Sequence, residues 1–161
     1  MTSDVLHQAL RYNRWANLRL LDVCSALSDE QLQLSSPGTY GSISATFQHL
    51  LAAEQRYLRR LVDFQPQLSE RDEFPGIATL REHAERSGEA LIDAVGKFDP
   101  DGTTQGRDEW AVKQWVAMTQ AMHHGNDHRT HICTILGQNG IDYGGLDVWA
   151  FAETDGGYVQ C

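Results

Sequence analysis

This chain of 161 residues has no run of about 18 apolar residues, the length a helix needs to cross a bilayer, so insertion into a membrane is not expected. Its start, Met1-Thr2-Ser3-Asp4-Val5-Leu6-His7, lacks the basic opening and apolar stretch of a secretory signal, which predicts a cytoplasmic protein. Cysteine is scarce and unpatterned. Cys24, Cys133 and Cys161 form no CxxC pair and are odd in number, which points to free thiols rather than a disulfide framework. Basic charge is short as well: 13 Lys and Arg against 22 Asp and Glu leave a formal charge of −9, the wrong sign for a phosphate backbone. Nucleic acid is therefore not expected as a partner, and a small molecule or another protein is the better default. Internal repeats and low-complexity tracts are absent, and strand signals are almost absent.

What is present is helical periodicity. A chain of this length fits one domain, residues 1–161, with enough interior to fold without staples. The first helix is expected from about Asp4 to Ala26, where Val5, Leu6, Ala9, Leu10, Ala16, Leu20 and Val23 recur at helical spacing. Ser28-Asp29-Glu30-Gln31 has capping-box form and predicts a short extra turn. A second helix, with Ser42 or Ser44 as N-cap, runs to about Phe64 and carries His49. After the polar stretch Gln65 to Gly76, Thr79-Leu80-Arg81-Glu82 matches a capping box and predicts a third helix ending near Lys97. The fourth spans about Val112 to Gln138, with Asn139-Gly140 as its stop. Four such helices pack most simply as an all-α four-helix bundle, whose ligand or metal sites lie between facing helices. Cys24 and Cys133 sit among apolar neighbours and read as core residues, and Cys161 as part of a mobile end. The tail, Ile141 to Cys161, reads as an irregular segment whose Trp149, Phe151 and Tyr158 cover the bundle or a partner chain.

Four of the seven histidines, His123, His124, His128 and His131, crowd into the fourth helix. At about 100° per residue, His128 lies about 40° from His124, and His131 about 20° to its other side, so the three share one stripe. At about 1.5 Å rise per residue, however, His131 is about 10 Å along the axis from His124, too far for both to reach one ion. His124 and His128 are the preferred pair, with His128 and His131 as the fallback, and His123 points about 100° away. A site needs a third ligand from another helix. His49 is the strongest candidate, being the histidine of the second helix with the small residues Ala52 and Ala53 one turn on; His7 and His83 are alternatives. A charged, solvated face explains His83, and a lone histidine is more often an ordinary hydrogen-bonded residue than a ligand, so spacing alone does not decide for metal. Gly125 inside the helix costs about 1 kcal/mol relative to Ala and marks a packing or site requirement. Asp127 could orient a ligand imidazole, but it rotates about 60° off the pair and an exposed role is expected. Arg129, about 140° from His124, reads as a surface ion-pair or interface residue.

His124-Gly125-Asn126-Asp127-His128-Arg129 resembles the fourth-helix signature of the DinB/YfiT-like metalloenzymes, His-Gly-x-x-His-Arg. Tyr12-Asn13-Arg14-Trp15-Ala16-Asn17 is similar to that family's first-helix motif, His49-Leu50-Leu51-Ala52-Ala53-Glu54 to its second-helix histidine motif, and Leu146-Asp147-Val148-Trp149-Ala150-Phe151 to its C-terminal stretch. The resemblance implies a four-helix bundle, often a homodimer, with a divalent ion, usually zinc or nickel, held by His49, His124 and His128. Through the wider superfamily it also implies an enzyme that transfers a low-molecular-weight thiol, of the bacillithiol or mycothiol kind, onto small electrophiles. A metal-dependent hydrolase and a non-catalytic metal-binding stress protein are the rival expectations. The chain departs from the family's pattern around Arg129, at Asp127, Thr130 and His131, which spares the three expected ligands and leaves their surroundings open.

Overall fold

The computed structural model describes residues 5–106 and 110–159; Asp4 and Cys161, to which the expectations for the first helix and the tail extend, lie outside the described residues. In chain order the elements are α1 (Val5–Cys24), α2 (Asp29–Leu32), α3 (Ile43–Leu58), α4 (Ile77–Ala94), β1 (Thr103–Gln105), β2 (Ala111–Lys113), α5 (Gln114–Gln138) and α6 (Val148–Asp155). The four long helices α1, α3, α4 and α5 make the bundle: α3 packs on both α5 and α4, and α1 closes the other side against α4 and α5.

The interior is layered. One apolar cluster gathers Leu20, Leu21, Phe47, Leu50, Leu51, Leu80, Ile132 and Ile135, and a second gathers Leu10, Leu58, Leu91, Ala117, Met118 and Ala121. Each buried leucine contributes about 1.5–3 kcal/mol relative to leaving it in water. Along every long helix a buried polar residue separates the two clusters: Asn13 and Asn17 on α1, Glu54 on α3, Ser87 on α4 and Arg129 on α5. Gly88 lets α4 close on α1 at this level, since a Cβ there would stand 2.6 Å from Arg14 Cγ.

Local signals explain the element ends. Ser28 and Gln31 cap α2 reciprocally, and Ser42 caps α3 by accepting from the Ala45 N–H at 3.2 Å. Helix α3 stops at Leu58, six residues short of Phe64, because the chain tightens: Arg60 N–H donates to Tyr57 O and Leu61 N–H to Leu58 O. Those turns still send Leu61 and Phe64 into the second cluster, so the apolar period outlasts the helix. The expected capping box at Thr79 is not used; α4 begins two residues earlier behind Gly76, which has no side-chain cap and a φ of 89°. Val112 belongs to a small antiparallel hairpin, paired with Thr104, and the fourth long helix starts only at Gln114. Three-residue strands are too short to show a period in the sequence. The tail is not irregular throughout: Asp147 caps α6 by accepting from the Ala150 N–H at 2.8 Å, and Gly156 ends it in the left-handed region. Phe151 packs on Tyr12 and Trp15, whereas Trp149 stays 72% exposed. Among the described residues no helix is long and apolar enough to cross a membrane.

Candidate metal centre

Packing of α3 on α5 brings His49 to the His124–His128 stripe. Ring centroids lie 5.0 Å apart for His49 and His124, 4.8 Å for His49 and His128, and 4.3 Å for His124 and His128. The Nε2 atoms of His49 and His124 face each other at 3.1 Å. One nitrogen from each of the three rings falls within 4.8 Å of the others, a group that could hold a metal ion. The remaining histidines stand outside it. His131 meets only the far side of the group, 5.3 Å from His128 ring to ring, and His123 is exposed. His83 faces Gln55 at 3.3 Å, and His7 is half-buried on α1.

The two α5 rings are held ready to donate lone pairs. Burial, reinforced by the neighbouring imidazoles, lowers His124 and His128 to about 4, so both rings are neutral at ordinary pH with a lone pair to give. His128 Nδ1 is buried with no hydrogen-bond partner among the described residues. His49 is oriented from its other side: Nδ1 donates to the Glu70 carboxylate, and the Tyr40 hydroxyl lies 2.9 Å from the same nitrogen. That hydrogen bond, above all, holds the Glu70 carboxyl below its ordinary value, with Arg56 at 3.7 Å assisting. Tyr40 stacks on His49 at 4.1 Å, and Tyr57 sets its edge against His124 at 5.6 Å.

The family model of the DinB family matches residues 1–157. The chain belongs to the DinB family. A DinB-like protein from Bacillus cereus has the same fold, with a TM-score of 0.71 at 18% identity, over 90% of this chain and 99% of that one. No curated protein matches.

Beneath the histidines this DinB chain has a buried polar layer. Arg129 Nη1 donates to Asn13 Oδ1 at 2.8 Å and Asn17 Oδ1 at 2.7 Å. The amide nitrogens of the same two asparagines donate to Glu54 Oε2 at 3.0 and 3.3 Å, and Ser87 Oγ donates to Glu54 Oε1 at 2.5 Å. Arg129 is thus not the surface residue that rotation alone suggests; partners on α1 and a countercharge on α3 make its burial affordable. Burial pushes the Glu54 carboxyl up, opposed by the Ser87 and Asn13 hydrogen bonds and by the Arg129 charge. Gly125 has its reason here. A Cβ at that position would lie 2.7 Å from Asn13 Oδ1.

Sequence reasoning missed Glu70, Tyr40 and Tyr57. Glu70 belongs to the loop after α3, 21 positions beyond His49, where no helical spacing applies. Asp127, the acidic residue weighed for this role, is exposed, and its charge opposes the lowering of His124 and His128. Glu54 lies within the second-helix motif, and its signal was the oddity of a carboxylate inside an apolar stripe.

Proposed function

We propose that this DinB protein is a divalent-metal-dependent enzyme, its ion held by His49, His124 and His128, that transfers a low-molecular-weight thiol onto small electrophiles. The observation that carries the reading is the 3.1 Å approach of two imidazole Nε2 atoms from different helices. Two nitrogens on a tetrahedral ion with bonds of about 2.0–2.1 Å stand about 3.3 Å apart, close to that separation. An all-imidazole donor set suits zinc, nickel or cobalt. Bound there, the ion would supply Lewis acidity at a fourth position, enough to deprotonate a coordinating thiol near neutral pH.

The chain's own residues do the preparatory work. Glu70 keeps the proton of His49 on Nδ1, which commits Nε2 to the site as a lone-pair donor. Low proton affinity at His124 and His128 means that protons do not compete for these rings at neutral pH. The test is metal analysis of purified protein, followed by calorimetric titration of the metal-free form with zinc and nickel. About one ion per chain is expected, lost in His124→Ala; no bound divalent ion, or unchanged content in the variant, would sink the metal reading. Turnover with a panel of thiols and electrophiles then tests the transferase reading, and its uniform absence would leave a metal-binding protein or a hydrolase.

A further inference from the structure

A chain with a net charge of −9 places three arginines, Arg56, Arg59 and Arg60, at the end of α3. With Thr104, Gln105 and Gly106 of the hairpin they line a cavity of about 470 Å³. Arg60 and Gly106 are shared with a neighbouring cavity of about 390 Å³, whose walls include Tyr57, Val112, Val116 and Ala117. The two adjoin across Arg60 and Gly106 as a groove with a basic side and a largely apolar one. No ligand histidine lines either cavity, but each side borders the three-histidine site: Tyr57 touches His124, and Arg56 pairs with Glu70, which holds His49.

These arginines are little paired among the described residues, although Asp72 shares a cavity with Arg56 and Arg59. Among the described residues Arg56 meets Glu70 only at 3.7 Å, and neither Arg59 nor Arg60 forms an ion pair. Arg60 Nη1 donates to the Gln105 carbonyl at 2.6 Å, which pins the guanidinium to the hairpin, and no other hydrogen bond engages it among the described residues. A divalent ion on three neutral imidazoles would add charge of the same sign to this rim. Such a groove selects a molecule with an acidic end and an apolar body, because paired guanidinium donors recognise carboxylate and phosphate oxygens.

Resting on the metal reading above, we infer that the substrate of this site is an organic anion. Its carboxylate or phosphate is held by Arg56 and Arg60, and its apolar body lies on Tyr57, Val112 and Val116. Hexanoate, hexyl phosphate and the neutral hexanamide serve as probes in calorimetric titrations of zinc-loaded and zinc-free protein. The two anions are expected to bind, the tighter one identifying the acidic group, and hexanamide to bind at least tenfold more weakly, by roughly the worth of a hydrogen bond to a charged group. Arg60→Gln and Arg56→Gln should each weaken the anions by roughly the same factor, with zinc content and circular dichroism unchanged in Arg60→Gln. In the wild type, added salt should weaken the anions and not hexanamide, a readout that needs no variant. Equal binding of hexanoate and hexanamide, or anion affinity untouched in both variants and by salt, would overturn the inference. Zinc retained with arginine-independent affinity refutes this inference alone; zinc never bound, with anion affinity still arginine-dependent, refutes the metal reading alone.

Discussion

In a Gly125→Ala variant α5 gains about 1 kcal/mol of intrinsic helix preference and loses the space that Asn13 occupies. The added Cβ would stand 2.7 Å from Asn13 Oδ1 and 3.1 Å from Arg129 Nη1, the two atoms of a single 2.8 Å hydrogen bond between buried side chains. Asn13 cannot swing clear cheaply, because its amide nitrogen is tied to Glu54 at 3.0 Å. Moving Oδ1 strips the guanidinium of one acceptor, and a hydrogen bond to a charged group is worth about 1.5–3 kcal/mol. The loss exceeds the gain, for a net destabilisation of about 0.5–2 kcal/mol. At roughly 2–4 °C per kcal/mol for a chain of this size, Tm should fall by several degrees at most. Gly137→Ala is the control on the same helix: exposed, with its nearest Cβ contact the Tyr143 ring at 3.8 Å, it should gain the propensity without the clash. Thermal melts of metal-free protein, followed by far-UV circular dichroism, compare the two. If Gly125→Ala melts as high as Gly137→Ala, the crowding argument is wrong.

Glu70→Gln removes the charged acceptor from His49 Nδ1 and should weaken zinc binding about 10–100-fold in a calorimetric titration; equal affinity would show that Glu70 does not orient the ring. Arg129→Leu leaves Glu54 buried without its countercharge and should cost about 3 kcal/mol in a urea melt, part of it recovered by adding Glu54→Gln. Acid should loosen the metal-free fold over a defined window. His124 and His128 sit at about 4 in the folded chain against an ordinary 6.5, so the unfolded chain takes up protons first as the pH drops. Their contribution is complete above about 6.5, declines down to about 4 and is level below it. His128→Ala should flatten the slope of stability against pH within that window, and an unaltered slope would contradict the lowered value.

Helical periodicity is a local property, and that is why α1, α3, α4 and α5, and the shared face of His124 and His128, could be read without a structure. The hairpin could not, since Thr104 and Val112 pair across only three residues a side. Tertiary support also reverses local expectation. Arg129, a residue type that rarely leaves water, is buried because two asparagines on another helix receive it. Glu70 reaches His49 from a loop, where chain direction follows packing and no repeat in the sequence carries it. The stretches that resemble the family's motifs contain Asn13, Glu54 and Gly125 of this polar layer beside the histidines.

Apolar faces decide which sides of α3 and α5 meet, but burial is non-directional and tolerates sliding along the axis. The three-histidine group does not tolerate it: a slip of one turn, about 5.4 Å, would carry His49 out of reach of His124. The polar layer supplies the missing constraint. Glu54 lies five positions after His49 on α3, and Arg129 immediately follows His128 on α5. The asparagines between them have one satisfied orientation, with Oδ1 toward the guanidinium and Nδ2 toward the carboxylate. A slipped register would leave both buried charges without these partners, a cost of several kcal/mol that apolar repacking could not offset. The network is therefore a gauge, built at the level of the site, that sets the axial position of His49 against the pair on α5.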